Sequence, residues 1–219
     1  MSAIVIGNWG ISSAVGGGPP TLVRSTAGNG SGTSLTVSNF DAEGSGTAPY
    51  LLVGLRWTGG ADLVTVTVTY NSVSMTEIGR RLNSGNSVEG VALFGLVAPS
   101  SGLNSVVVTV SPSQSNIRAF PMAWTGINQS TPTGTFAPAD TATAPSLSVN
   151  ASSAVGDVVV DILDCLTGTP TISGGQTAIQ NVTVAACSYK AGGTPTTTMS
   201  YSFSPDSYGT IGAVALKPV

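Results

Sequence analysis

Along this chain apolar and polar positions alternate with a period of two over short stretches, and no stretch carries the three-to-four spacing of an amphipathic helix. Successive side chains of a strand point to opposite faces, so the alternation predicts half-buried strands broken by Gly, Pro, Asn and Ser turns. In the first half the predicted strands cover residues 35–40, 50–57, 63–70, 74–78, 88–97, 105–110 and 117–124. In the second they cover 146–150, 157–165, 171–179, 182–190, 197–203 and 210–216. The pattern predicts an all-β fold: an antiparallel, jelly-roll-like β-sandwich.

The two halves echo each other. Residues 91–112 overlay 184–205 without a gap: Val106, Val108 and Val110 fall on Met199, Tyr201 and Phe203, and Ser111-Pro112 falls on Ser204-Pro205. With one residue removed, 119–124 overlays 211–216. Upstream, Thr76 and Ile78 meet Thr177 and Ile179, Leu51 to Val53 meets Val158 to Val160, and Leu35-Thr-Val meets Leu147-Ser-Val. A hairpin over 59–69 has no counterpart. An internal duplication is therefore expected, with repeats over 33–129 and 146–219 joined by a linker or crossing loop over 130–145. The second half has few bulky side chains and would make a thin core alone, so the repeats are expected to pack as one unit. Residues 1–32, rich in Gly and Pro, read as an extended N-terminal arm whose Trp9 and Ile11 would anchor it on a partner.

Charge changes the picture. Only 8% of the residues are charged, with seven Lys and Arg and a net charge of −3. So few cations argue against a nucleic-acid partner held through phosphates. A surface so poor in charge repels its neighbours weakly and suits a subunit packed in an assembly. No apolar run approaches the ~18 residues of a membrane helix, so no membrane association is expected. The stretch from Met1 to Pro20 lacks the charged start and apolar core of a secretory signal. Cys165 and Cys187 are compatible with one disulfide if their strands are neighbours, or with two compact buried side chains.

Candidate chemistry is thin. The chain has no histidine, which removes the usual general base of Ser and Cys hydrolases and the commonest zinc ligand. No serine sits in a Gly-x-Ser-x-Gly elbow. Asp157, Asp161 and Asp164 are the candidates for paired carboxylates, but three-residue spacing on a strand sends Asp161 and Asp164 to opposite faces. They are expected to be acids at a strand end and an exposed edge, where charge discourages edge pairing. Calcium-loop spacing is missing. No catalytic residue, cofactor or metal ligand is assigned, and the chain is not expected to be an enzyme. Arg80 and Arg81 form the one basic cluster, read as solvated charge or as an intersubunit salt bridge to a partner. Trp124 reads as core. Trp57, before a Thr-Gly-Gly turn, reads as a rim aromatic that with Asn83 and Asn86 would make an alternative ligand cleft.

The succession of Tyr50-Leu-Leu-Val-Gly-Leu, Val88-Glu-Gly-Val-Ala-Leu-Phe-Gly-Leu-Val-Ala-Pro, Ala123-Trp-Thr-Gly-Ile-Asn, Gly156-Asp-Val-Val-Val and Gly212-Ala-Val-Ala-Leu-Lys-Pro resembles β-sandwich proteins of tailed phages and bacteria. The resemblance spans residues 33–219 and implies a class, with no site residues carried over. It implies a virion structural protein of the capsid decoration or cement type, assembled in the host cytoplasm and seated on the outer surface of the capsid. Its partners would be the major capsid protein or other virion subunits and its own copies, a trimer at a threefold being the favoured homo-oligomer. The alternative is a receptor- or carbohydrate-binding module of a tail fibre or cell-surface protein; a self-assembling cell-surface subunit is a third.

Overall fold

Val, Thr and aromatic residues, which fit a pleated and half-buried surface, dominate the runs that become strands. A computed structural model describes residues 17–42, 47–59, 65–85 and 88–219, and among these the regular structure is entirely β-strand. The elements are β1 (Thr21–Ser25), β2 (Gly28–Phe40), β3 (Tyr50–Thr58), β4 (Thr65–Tyr70), β5 (Val73–Ser74), β6 (Thr76–Leu82) and β7 (Glu89–Val97). They continue with β8 (Asn104–Thr125), β9 (Ala137–Ser152), β10 (Val158–Cys165), β11 (Thr171–Ile172), β12 (Thr177–Val182), β13 (Ala185–Ala191) and β14 (Thr196–Leu216). All pairings are antiparallel, in one sheet ordered β5-β4-β8-β3-β7-β6 with β1 and β2 also on β8, and a second ordered β11-β14-β10-β13-β12 with β9 also on β14.

Each sheet is organised by one long strand that changes layer midway. The first half of β8 pairs with β4, Tyr70 opposite Val106, and its second half with β3, Tyr50 opposite Trp124. Between them lies Pro112, which has no N–H to give a ladder and so releases the strand to turn. In the second sheet β14 does the same around Pro205, pairing first with β11 and then with β10. Both Ser111–Pro112 and Ser204–Pro205 are cis. β2 follows β8 along both layers, and β9 follows β14. The two halves share a strand order, β11 standing on β14 where β4 stands on β8, and only the two-residue β5 of the first half is without a counterpart among the described strands. The register agrees with the sequence overlay at Leu35 opposite Val108 and Leu147 opposite Tyr201. It departs by one residue at β3 and β10: Tyr50 faces Trp124 as Val158 faces Leu216, so Val158 matches Tyr50 rather than Leu51.

Two of the predicted boundaries move. Residues 21–25 and 28–32, expected in the arm, are β1 and the start of β2, both paired with β8. Glycine permits this: a Cβ on Gly28 would lie 2.3 Å from Val37 Cγ2 and one on Gly30 3.1 Å from Leu35 Cδ1, so β2 can fold over its own apolar end. Residues 1–16, with Trp9 and Ile11, lie outside the described residues. The expected linker over 130–145 supplies the first nine residues of β9, which pair with β14 from Ala137 opposite Ala213 to Ala144 opposite Ser207.

Three apolar cores result. Leu51, Val53, Leu55 and Trp57 of β3 fill the first half with Val66, Val68, Val106 and Val108. Val159, Leu163 and Cys165 of β10 fill the second with Leu147, Val149, Met199 and Tyr201. The alternate residues, Tyr50 and Leu52 on β3 and Val158, Val160 and Ile162 on β10, meet in a central core with Phe120, Met122, Trp124, Val214 and Leu216. β3 and β10 are thus buried on both faces, which explains their nearly unbroken apolar sequence. The central core draws on both halves.

Candidate functional site

Asp157, Asp161 and Asp164 lie inside. β10 runs between β13 and β14, so Asp161 and Asp164 are not at an exposed edge; they are 0% and 1% exposed. Their side chains point to opposite faces. Asp161 enters the core of the second half, where the Ser188 N–H (2.8 Å), the Ser188 hydroxyl (3.0 Å) and the Tyr201 hydroxyl (2.8 Å) donate to Oδ1. Burial pushes its pKa up to about 7, and these hydrogen bonds oppose the shift. Asp164 enters the seam between the halves, where Arg56 Nε donates to its Oδ1 at 2.6 Å and Oδ2 has no partner. Burial raises its pKa against the pull of Arg56. Asp157 holds Lys217 Nζ at 2.6 Å and accepts the Ala154 N–H at the turn before β10. The three acids serve three separate places and make no dyad.

The residues proposed for partner and ligand contacts are also committed internally. Arg80 binds Glu77 through two parallel bonds, Nε–Oε1 and Nη2–Oε2, both 2.6 Å. Arg81 reaches across the seam to Asp140, Nε–Oδ1 2.6 Å, and Asp140 also accepts from the Ser84 backbone N–H at 2.8 Å. Trp57 is 0% exposed. The alternation that puts Leu55 in the core puts Trp57 there too, and its ring passes over Gly90, where a Cβ would lie 2.4 Å from Cζ2. Asn83 is equally buried, its Nδ2 donating to Gly209 O at 2.9 Å and Thr141 O at 3.1 Å. Trp57 and Asn83 therefore form no open cleft; Asn86 lies outside the described residues. Cys165 and Cys187 are free thiols in different cores, on opposite faces of the sheet.

A surface cavity of about 510 Å3 lies where β6 and β7 meet the segment 132–136. Ile78, Val97, Pro132 and Phe136 are the apolar lining, with Leu96, whose side chain packs on the first core. Phe136 is fixed between the sheets by two glycines, since a Cβ on Gly79 would lie 2.4 Å from its Cγ and one on Gly212 2.5 Å from its Cε2. The polar groups are Glu77, tied to Arg80, and the threonines 76, 133 and 135. At the floor stands Tyr50, 2% exposed, whose hydroxyl lies over Gly95; a Cβ there would be 1.8 Å from it. No protein group among the described residues bonds this hydroxyl. Burial pushes its pKa above the usual phenol range, so it stays protonated, able to donate and to accept. A volume in this range, with apolar walls and a few convergent polar groups, is the ordinary form of a small-ligand site.

Sequence reasoning did not find this site. Tyr50 opens an apolar run and reads as core, which it also is; Phe136 stands in a Thr- and Pro-rich stretch with no periodicity. Only the meeting of distant segments makes the cavity. No protein-family model, curated protein or solved structure matches this chain significantly.

Proposed function

We propose that this protein is a non-enzymatic structural subunit of a phage virion, of the capsid decoration or cement type, which acts by burying its surface against neighbouring subunits. One observation carries the reading: all seven Lys and Arg side chains are spent on partners inside the chain. Five are in ion pairs, Arg118 donates to Thr183 O at 2.8 Å and Lys190 to Gly174 O at 2.6 Å. Such a surface offers little to phosphates or to charged substrates and attaches by area and shape. Arg56 beside Asp164 and Gly54 against Ile162 set β3 and β10 side by side in one direction, so their starting ends lie together. At that end Val97, Leu103, Val155 and Val219 are exposed, Leu103 by 67% and Val155 by 84%. Apolar side chains gathered at one end suit a docking end. The resemblance to tailed-phage sandwich proteins supports the same class, and the shared strand plan supports an internally duplicated, jelly-roll-like unit.

On this reading the protein sits on the outer surface of the capsid as a homo-oligomer, a trimer at a threefold, against the major capsid protein. Co-sedimentation with shells lacking their decoration tests it. Saturable binding in a fixed ratio is expected; protein that stays in the supernatant at every concentration overturns it.

A second reading, a receptor- or carbohydrate-binding module of a tail fibre or cell-surface protein, is favoured by the cavity over Tyr50. It differs in needing one small chemical group rather than an extended surface.

A further inference from the structure

We infer that the cavity over Tyr50 is a binding site for a neutral sugar residue of a glycan; this deepens the second reading above and is independent of the capsid one. Three features select the class. First, the Tyr50 hydroxyl is a donor and acceptor without a protein partner, held at the floor by a ring that is itself part of the central core. The hydroxyl is open to the cavity, so a ligand group that can both give and take a hydrogen bond, as an alcohol does, can replace solvent there. Second, the one charged residue of the lining is already neutralised by a neighbour. Glu77 and Arg80 are joined by two bonds of 2.6 Å, so an anion or cation finds no unopposed opposite charge. Third, Ile78 and Phe136, packed on the same core as Tyr50, line the cavity with it. A pyranose is built to match, with C–H faces for Ile78 and Phe136 and hydroxyls around its edge for Tyr50 and the threonines. Gly95 completes the design, because any side chain there would occupy the place of the Tyr50 hydroxyl.

The test is saturation-transfer NMR of the full chain with glucose, galactose, N-acetylglucosamine and rhamnose, each taken to tens of millimolar, with glucuronate as the charged comparison. At least one neutral sugar is expected to receive saturation and to bind more tightly than glucuronate. Tyr50→Phe keeps the ring in the core and removes only the hydroxyl, and is expected to weaken binding about tenfold. Thr135→Phe, at an exposed residue of the lining, is expected to abolish it with the fold retained. Absence of transfer to every neutral sugar, equal binding of glucuronate, or unchanged binding by Tyr50→Phe overturns the inference. A host-cell binding assay separates the two failures: protein that adheres to cells equally well with and without Tyr50→Phe leaves the receptor reading standing and the cavity without its role, whereas protein that neither adheres nor binds a sugar removes both.

Discussion

Arg56 and Asp164 hold equivalent places in the two halves and bind each other across the seam, Nε to Oδ1 at 2.6 Å. Tyr50 opposite Trp124 corresponds to Val158 opposite Leu216, and counting along β3 and β10 from these positions brings Arg56 and Asp164 into register. Two positions before them, Gly54 and Ile162 also meet each other. Contact between equivalent positions is the mark of a self-complementary, twofold-like interface, here formed within one chain.

Breaking this pair from one side is expected to be costly, because it leaves a buried polar group without its partner. Arg56→Met should lower unfolding stability by about 3–5 kcal/mol, while Arg56→Met with Asp164→Leu should recover most of the loss. Urea unfolding midpoints of the two single variants and the double variant measure the coupling. Equal losses in the single and double variants would contradict a specific pairing.

Asp161 gives stability an unusual pH dependence. Its folded pKa of about 7 lies above the ordinary carboxylate value of about 4, so the folded state binds more protons than the unfolded one between these values. Its contribution is fully present below pH about 4 and is lost as pH rises to about 7, by up to about 1.4 kcal/mol per unit. Asp164 acts in the same sense. Asp140 acts in the opposite one: burial pushes it up, but the hydrogen bonds from Ser84 and the contact with Arg81 outweigh this and hold it below the usual range, so its contribution is lost on acidification. Asp161→Asn is expected to flatten the decline between pH about 4 and 7, read from chemical unfolding at several pH values.

Phe136 should be coupled to the glycines on either side of it. Gly79→Ala and Gly212→Ala each place a methyl within 2.5 Å of its ring, and each is expected to cost about 1–3 kcal/mol by overpacking. In a Phe136→Ala background the same substitutions should be nearly neutral, a difference that a double-mutant cycle by thermal unfolding would resolve.

The two thiols should be inert in the folded protein. Burial pushes Cys165 up to about 12 and Cys187 higher still, and the two face different cores. A thiol reagent such as DTNB is expected to react with neither in native buffer and with both in denaturant. Rapid native labelling, or a single crosslinked pair, would contradict the placement.

Much of the fold is legible in the sequence, for reasons the ladders make clear. The alternation in β8 and β14 is strong enough to place Val106, Val108 and Met199, Tyr201 on matching inward faces, and the Ser-Pro pairs mark where both strands change layer. Opposite faces for Asp161 and Asp164 follow from strand period alone. The slip between β3 and β10 is harder to see because both are buried on two faces: without polar alternation, nothing in Leu51 to Leu55 says which residues face which core. Residues 21–32 and 137–145 escape notice because their strand character comes from pairing with a long neighbour; Gly, Thr and Pro carry little signal of their own. Trp57 misleads for the opposite reason, since the turn that follows it suggests a rim while its parity on the strand sends it inward. The cavity depends on Tyr50, Gly95 and Phe136 meeting from three segments, which no local pattern records.

The structural role is tested most directly by heating phage shells that lack their decoration, alone and with saturating amounts of this protein, and following shell disruption by light scattering. A subunit that clamps neighbours together raises the disruption temperature in proportion to its occupancy, and Asp161→Asn, altered only inside the fold, raises it equally. Shells that come apart at the same temperature with and without bound protein would contradict the account.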